Sequence, residues 1–339
     1  MPKQRELSRI AGMDRKTCAL RRSALLRQMR AFFDGKDYTE VDTPLLSPDL
    51  IPEATIQDFE TTFTNEFLGS RNFYLVPSPE VFMKRLIAEG FGSIYQFCHC
   101  FRNSEQVGEV HNPEFTMLEY YTVGYDEQDS IPLTEELIAS TAPKGTAKDL
   151  LPPFRKMTMQ EALWEFAHVD LDACQRQADL QEACKRLDLM TSDKPEPWED
   201  TFNRIFLTLV EPNLPQDKPL VLDRYPQQIE CLAKREGNYR KRWEMYMRGV
   251  EIANCYDEER DVETVRDYYR REYAKLVSER TDSGLPIPDV DLSFADVFRH
   301  FPQTSGVAMG IDRLLMVQAG ETELGALLLF PFSAMLANG

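Results

Sequence analysis

The residues with most chemical capacity fall in three blocks. The first reads Phe101-Arg102-Asn103, crosses a seven-residue loop, and resumes as His111-Asn112-Pro113-Glu114-Phe115-Thr116-Met117-Leu118-Glu119-Tyr120-Tyr121. Arginine presents a rigid fork of donors to a carboxylate or phosphate, and an aromatic face stacks on a base. Extended segments on either side of the loop would set Arg102 and Phe115 on neighbouring strands over one concavity, with Glu119 further along. The second block holds Glu244, Glu251, Asn254 and Glu258 around Arg248-Gly249. A turn there brings Glu244 beside Glu251, where two carboxylates repel unless a cation lies between them or one is protonated. Hard oxygen donors of this kind suit Mg²⁺ completed by substrate phosphates. The third block, Gly306-Val307-Ala308-Met309-Gly310-Ile311-Asp312-Arg313, is a small-residue strand leading to an arginine in a helix's first turn. Small residues admit a ligand close to the backbone. Blander readings stand beside each block: a surface ion pair with a core phenylalanine, a solvated acidic hairpin, and simple packing.

Other devices are absent. The chain has no GxxxxGK[ST] and no GxGxxG opening a helix, so it is neither a P-loop protein nor an obvious dinucleotide binder. It has no GxSxG and only His99, His111, His168 and His300, which leaves little material for a histidine-based nucleophile. Cys98-His99-Cys100 lacks a second cysteine pair at zinc-ribbon spacing. Strand alternation would send both thiols to one face and His99 to the other, which predicts burial rather than a metal site.

These blocks need a frame. The 339 residues allow one large domain or two modest ones, and 42% hydrophobic with 28% charged residues is ordinary globular usage. The net charge of -17 repels polyanions and disfavours bulk nucleic-acid binding. The charged start carries no secretory signal, and the apolar stretch 324–337 is too short to span a bilayer and reads as a buried terminal element. Seven cysteines are expected to be reduced thiols, in a cytoplasmic setting. Periodicity predicts a helix from Thr17 to Phe33, a strand over Tyr38–Val41, a strand over Phe73–Val76 and a helix over Pro79–Glu89. Strands over Ile94–Phe101 and Phe115–Val123 follow. Ser140–Pro153 reads as a linker, and Thr158–Val210 as a small insertion of two to four helices. A strand, turn and strand over Arg242–Tyr256, a helix over Val262–Arg280 and a strand feeding a helix over Gly306–Ala319 complete the pattern. The result is α+β, an antiparallel sheet flanked by helices and interrupted near residues 150–215.

Taken together, the blocks resemble the catalytic domain of class II aminoacyl-tRNA synthetases, specifically the lysyl subgroup. The helix before Val41-Asp42-Thr43-Pro44 resembles the family's dimer-forming first motif, 101–121 its second and Gly306 to Arg313 its third. Ser78-Pro79-Glu80 with Lys84-Arg85-Leu86, and Glu244 to Glu258, match further lysyl segments, so the resemblance covers nearly the whole chain. Two features resemble the stand-alone paralogues that join (R)-β-lysine to elongation factor P. The first motif begins near Thr17, which leaves no room for an N-terminal OB anticodon domain, and Ala308 stands where the synthetases usually have Gly. One departure is the sequence Phe101-Arg102-Asn103-Ser104-Glu105, where the family usually has Phe-Arg-Asn-Glu.

The resemblance implies roles. Arg102 and Arg313 would be catalytic, gripping a bent ATP, with Phe115 stacked on adenine, His111 on a phosphate, and Asn103 and Glu105 near the base. Glu244 and Glu251 would hold Mg²⁺. Glu80 and Glu119 would meet the backbone amine of a lysine or β-lysine, Asn254 its carboxylate, Glu258 and Tyr121 its distal ammonium, and Ala308 would shape the pocket. The implied activity is ATP-dependent formation of an acyl adenylate and its transfer to a lysine of elongation factor P, by a homodimer, with no membrane partner and with tRNA disfavoured as one. Two alternatives remain open at this level: a minimal lysyl-tRNA ligase, and a catalytically silent paralogue acting as a regulatory binding module.

Overall fold

The computed structural model describes residues 14–103, 108–190, 196–285 and 287–336. Helix α1 (Arg15–Asp34) begins at Asp14, whose carboxylate accepts from the Lys16 and Thr17 amides, and buries Cys18, Leu25, Met29 and Phe33 on one stripe. Strand β1 (Thr39–Glu40) is shorter than the predicted Tyr38–Val41. Strands β2 (Leu46–Ser47), β3 (Phe59–Asn65) and β4 (Gly69–Leu75) form a small separate sheet in the order β2-β4-β3. Helix α2 (Glu80–Ala88) then leads to β5 (Ile94–Phe101) and β6 (Glu114–Val123). Helix α3 (Ser130–Thr141) lies in a stretch the periodicity did not assign; its buried face includes Ser130, Thr134 and Thr141 beside Ile131, Leu133, Leu137 and Ile138, so the apolar stripe is thin in the sequence.

Strand β7 (Arg155–Thr158) opens the middle segment, where α4 (Met159–Ala167), α5 (Gln177–Arg186) and α6 (Trp198–Ile205) follow. Thr158 and Glu161 cap α4 reciprocally. Strands β8 (Leu220–Pro226), β9 (Arg235–Glu236), β10 (Tyr239–Met247) and β11 (Val250–Asp257) return to the sheet. Helix α7 (Val262–Ser283), β12 (Thr304–Gly310) and α8 (Ile311–Ala319) close the main fold.

The large sheet runs β1-β5-β6-β12-β11-β10-β8-β7, with β9 on β10. Its centre is antiparallel, as expected, but both edge pairs, β1 with β5 and β7 with β8, are parallel. One face packs against α1, α3 and α8 over a core that includes Phe33, Tyr120, Trp243 and Val307. A second core joins α4, α5 and α6 to Leu220, Leu222 and Tyr246 of β8 and β10. The apolar stretch at the end departs from expectation: Leu324 is buried, whereas Phe330, Met335 and Leu336 are exposed. Residue 337 lies outside the described residues.

Candidate functional site

The site is assembled by strand register. Residues on one side of a sheet alternate along each strand, so a row across paired strands shares one face. Gln96 of β5 pairs with Glu119 of β6, Glu119 with Ala308 of β12, Ala308 with Asn254 of β11, and Asn254 with Glu244 of β10. A second row two residues away runs through Tyr121, Gly306, Tyr256 and Arg242. Residues from three sequence-distant blocks thus lie side by side on one floor.

At one end is a cleft of about 220 Å³ lined by Arg102, His111, Phe115, Glu251, Ala308 and Arg313, among others. Arg102 follows β5 directly; its amide donates to the Pro113 carbonyl and its guanidinium carbon lies 5.2 Å from the Phe115 ring centroid. Its Nε is buried without a hydrogen-bond partner, so the fork is poised for an acceptor. Arg313, in the first turn of α8, donates from Nε to the Val110 carbonyl and from Nη1 to the Glu251 carbonyl, and its Nη1 lies 3.4 Å from Glu251 Oε2. The two arginines and the aromatic ring therefore border one concavity. Asn103 sits beside it, its amide donating to the Gln57 carbonyl. Glu105 and Ser104 lie outside the described residues.

The acidic pair corrects one expectation. Glu244 is not directly opposite Glu251: it faces Asn254, while Glu251 faces Tyr246, because a bulge shifts the register between Met245 and Tyr246. This bulge matters for function. Glu251 and Asn254 are three apart and would point to opposite faces of a regular strand, but the extra residue returns both to the cleft side. Glu244 stays close enough to act on Glu251, whose carboxyl is pushed up to about 7 by burial first and by Glu244 second. Glu244 itself accepts from Tyr246 at 2.7 Å and pairs with Arg242 at 2.5 Å. Burial and the Glu244 charge also raise Glu211, from a 3₁₀ turn (Glu211–Asn213) before β8. Among the described residues no group of three or more ligating side chains forms a metal cage.

The other end of the floor is a pocket of about 250 Å³ lined by Glu53, Glu80, Glu119, Tyr121, Asn254 and Glu258, among others. Arg102 and Ala308 line both spaces, so the two open onto each other. Tyr121 donates to Glu119 Oε1 at 2.6 Å. Lys84, fully buried, lies 2.5 Å from Glu80 Oε1 and 2.7 Å from Glu258 Oε2. Burial pushes Glu53 and Glu258 up to about 7, and Glu119 well above the usual carboxylate range. The neighbouring Glu80 charge adds to each shift. An enclosure that holds several carboxylates at the edge of ionisation is built for a cation.

Glu53, Tyr256 and Lys84 have no functional place in the sequence reading. Lys84 is four residues after Glu80, a spacing that on its own describes an exposed helical ion pair; only the fold shows it to be buried. Cys98 and Cys100 are buried on one side of β5, with His99 exposed on the other, as alternation predicts. All seven cysteines are free.

The chain matches the family described as tRNA synthetases class II (D, K and N) over residues 4–334. It is 33% identical over 319 residues to the elongation factor P (R)-β-lysine ligase of Yersinia enterocolitica, covering 92% of this chain and 94% of that protein. The protein of the same name from Hamiltonella defensa is 34% identical over 319 residues, with the same coverage. That from Buchnera aphidicola is 31% identical over 329 residues, covering 92% and 95%.

Proposed function

The chain belongs to the class II tRNA synthetases of the D, K and N group and is a ligase that uses ATP; from that premise we propose that it activates (R)-β-lysine, or lysine, and passes it to a lysine of elongation factor P. The observation that carries this reading is the continuity of the two spaces. Two arginines and an aromatic ring border one, several carboxylates the other, and Arg102 stands at their junction.

The chemistry follows from charge. The substrate carboxylate is ionised at neutral pH, so its oxygen attacks the α-phosphorus without a general base, and the bond to the pyrophosphate oxygen breaks. Arg102 aligns the carboxylate and the α-phosphate and stabilises charge spreading over the phosphoryl oxygens. Phe115 holds the base and Arg313 the distal phosphate, with His111 as a further phosphate contact and Asn103 and Glu105 toward the base. Asn254 orients the substrate carboxylate. Glu80 and Glu119 receive the amine near it, Glu258 and Tyr121 the far ammonium, and Ala308 bounds the space between. A substrate with two ammonium groups needs separated anionic partners, because a buried unpaired ammonium is costly. An amine of the acceptor then attacks the acyl carbon of the adenylate and AMP leaves.

The residues fit a divalent cation. Burial first and the Glu244 charge second hold the Glu251 carboxyl up at about 7, and both residues offer hard oxygens beside the phosphate end. Mg²⁺ held there would shield the phosphate oxygens. A homodimer through α1 and a cytoplasmic location belong to the same reading; among the described residues no helix is long and apolar enough to cross a membrane.

The test is amino-acid-dependent pyrophosphate exchange with α-lysine and both β-lysine enantiomers, followed by transfer of labelled amino acid in the presence of elongation factor P and tRNA. The expected result is exchange with a lysine isomer and label in protease-sensitive material. Label in nuclease-sensitive material would support a lysyl-tRNA ligase instead, and no exchange with any amino acid a silent paralogue.

A further inference from the structure

Lys84 has no part in the roles above, yet it is completely buried behind the amino-acid pocket, against two of the acids that line it. It reaches from α2 to two acids of different elements, Glu80 in its own helix and Glu258 just beyond β11, and its ammonium lies 6.0 Å from the Phe298 ring centroid. Each of these carboxylates gives one oxygen to Lys84. The second oxygen of Glu258 lies against Gly306 and Tyr121: a Cβ built on Gly306 would meet Glu258 Oε1 at 2.5 Å and Tyr121 Cε1 at 2.6 Å. That oxygen is therefore fixed at the pocket wall by a position that admits no side chain.

The charges can be counted. Fully ionised, Glu80, Glu119 and Glu258 with Lys84 would leave two negative charges, and Arg102 pulls the Glu53 carboxyl down against the larger effects of burial and Glu80. Around this set lie Cys98 from β5, Tyr121 from β6, and Tyr268 and Tyr269 from α7. Tyr256 closes one side, and Asp257 is already paired with Lys234 and Lys241. Three carboxylates this close would not all stay ionised in a buried pocket without a cation among them.

We propose that Lys84 is a resident cation of the amino-acid pocket, a positioning residue that takes one oxygen from each of Glu80 and Glu258, leaves the others for substrate, and so matches the pocket to two ammonium groups. This rests on the reading that the substrate is a diamino acid. Lys84 also explains how Glu80 and Glu258, from separate elements, keep a fixed separation when the pocket is empty.

The experiment compares Lys84→Met with the charge-balanced double variant Glu80→Gln/Lys84→Met and with Lys84→Arg, each checked for folding by circular dichroism. In Lys84→Met the KM for the diamino acid in pyrophosphate exchange is expected to rise at least about tenfold, with KM for ATP within about twofold, since only the amino-acid contacts are lost. The acid limb of kcat/KM for the amino acid moves to higher pH, because carboxyls deprived of a cation hold their protons longer. The double variant brings the limb back toward wild type, and Lys84→Arg keeps it there. In protein labelled with ¹³C at the glutamate carboxyls, one further glutamate titrates above pH 7 in Lys84→Met. A folded Lys84→Met with an unmoved limb and no new titration overturns the proposal, as does a double variant whose limb is displaced as far as the single variant's. If Lys84→Met does not fold, the other two variants decide by the same limb, and a displaced limb in Lys84→Arg overturns it. Exchange by wild type with neutral amino acids alone would overturn the function proposed above, while the glutamate titration, which needs no substrate, still judges Lys84.

Discussion

Arg102 is held at its backbone and open at its tip: the amide is committed to Pro113, while Nε is buried without a partner. Such a group contributes little to the empty protein and much to a bound oxyanion. Arg102→Ala is expected to lower kcat for pyrophosphate exchange by about 10²–10³-fold, the usual loss on removing a donor that stabilises developing charge. The melting temperature should change little, which calorimetry checks. Glu251 behaves in the opposite sense. Its folded carboxyl sits near 7 against an ordinary 4.5, so it costs nothing while protonated in both states and costs stability increasingly as pH rises between those values. Glu251→Gln is therefore expected to stabilise the empty protein at pH 8, by on the order of 1 kcal/mol after allowing for the open part of the side chain, and not at pH 4.5. Denaturant titration at the two pH values checks this, and the same variant should lose exchange activity.

At the scale of elements, the sheet does the positioning. Gly306 illustrates how closely: Gly306→Ala would force Glu258 and Tyr121 aside, and overpacking of this kind costs about 1–3 kcal/mol. The expected result is a KM for the amino acid raised at least about tenfold, with KM for ATP nearly unchanged, because the nucleotide end lies further along the strand. Much of this was legible in the sequence. The extended segments on either side of residues 104–110 and the small-residue strand with Arg313 put Arg102, Phe115 and Glu119 on one floor, as the residue types suggested. The bulge beside Tyr246 was not, since a register shift depends on how two strands meet rather than on either alone. Nor was Lys84, because its burial is decided by α7, β11 and the 292–300 segment, all distant in the chain. Helix α3 escaped because Ser130, Thr134 and Thr141 share its buried face, which weakens the apolar period that identifies a helix.

Two of the apolar centres among the described residues share β8 and β10. In the second, Trp198, Phe202 and Phe206 stack in sequence with centroids 5.2 Å and 5.8 Å apart. Phe202→Ala is expected to cost about 3–5 kcal/mol, read by chemical denaturation, yet to leave kcat within about twofold at temperatures where the variant stays folded. Helix α1 is tied to the cleft bordered by Arg102 and Arg313 through Arg22, which binds Asp312 and Thr116, while the Thr116 amide donates to the same Asp312 at 2.7 Å. The first helix and the residue preceding Arg313 are thus mechanically joined.

The row from Gln96 to Glu244 crosses five strands without a gap, and this limits how such an enzyme can change. Replacing one member, as at Ala308, alters a single contact and leaves its neighbours where they were. Adding or deleting one residue inside β6 or β12 would turn every later side chain of that strand to the far face and erase its contribution at a stroke. On this floor a point replacement is accordingly the mild change, and a change of length stays mild in the connections between strands or where a bulge absorbs it, as in β11.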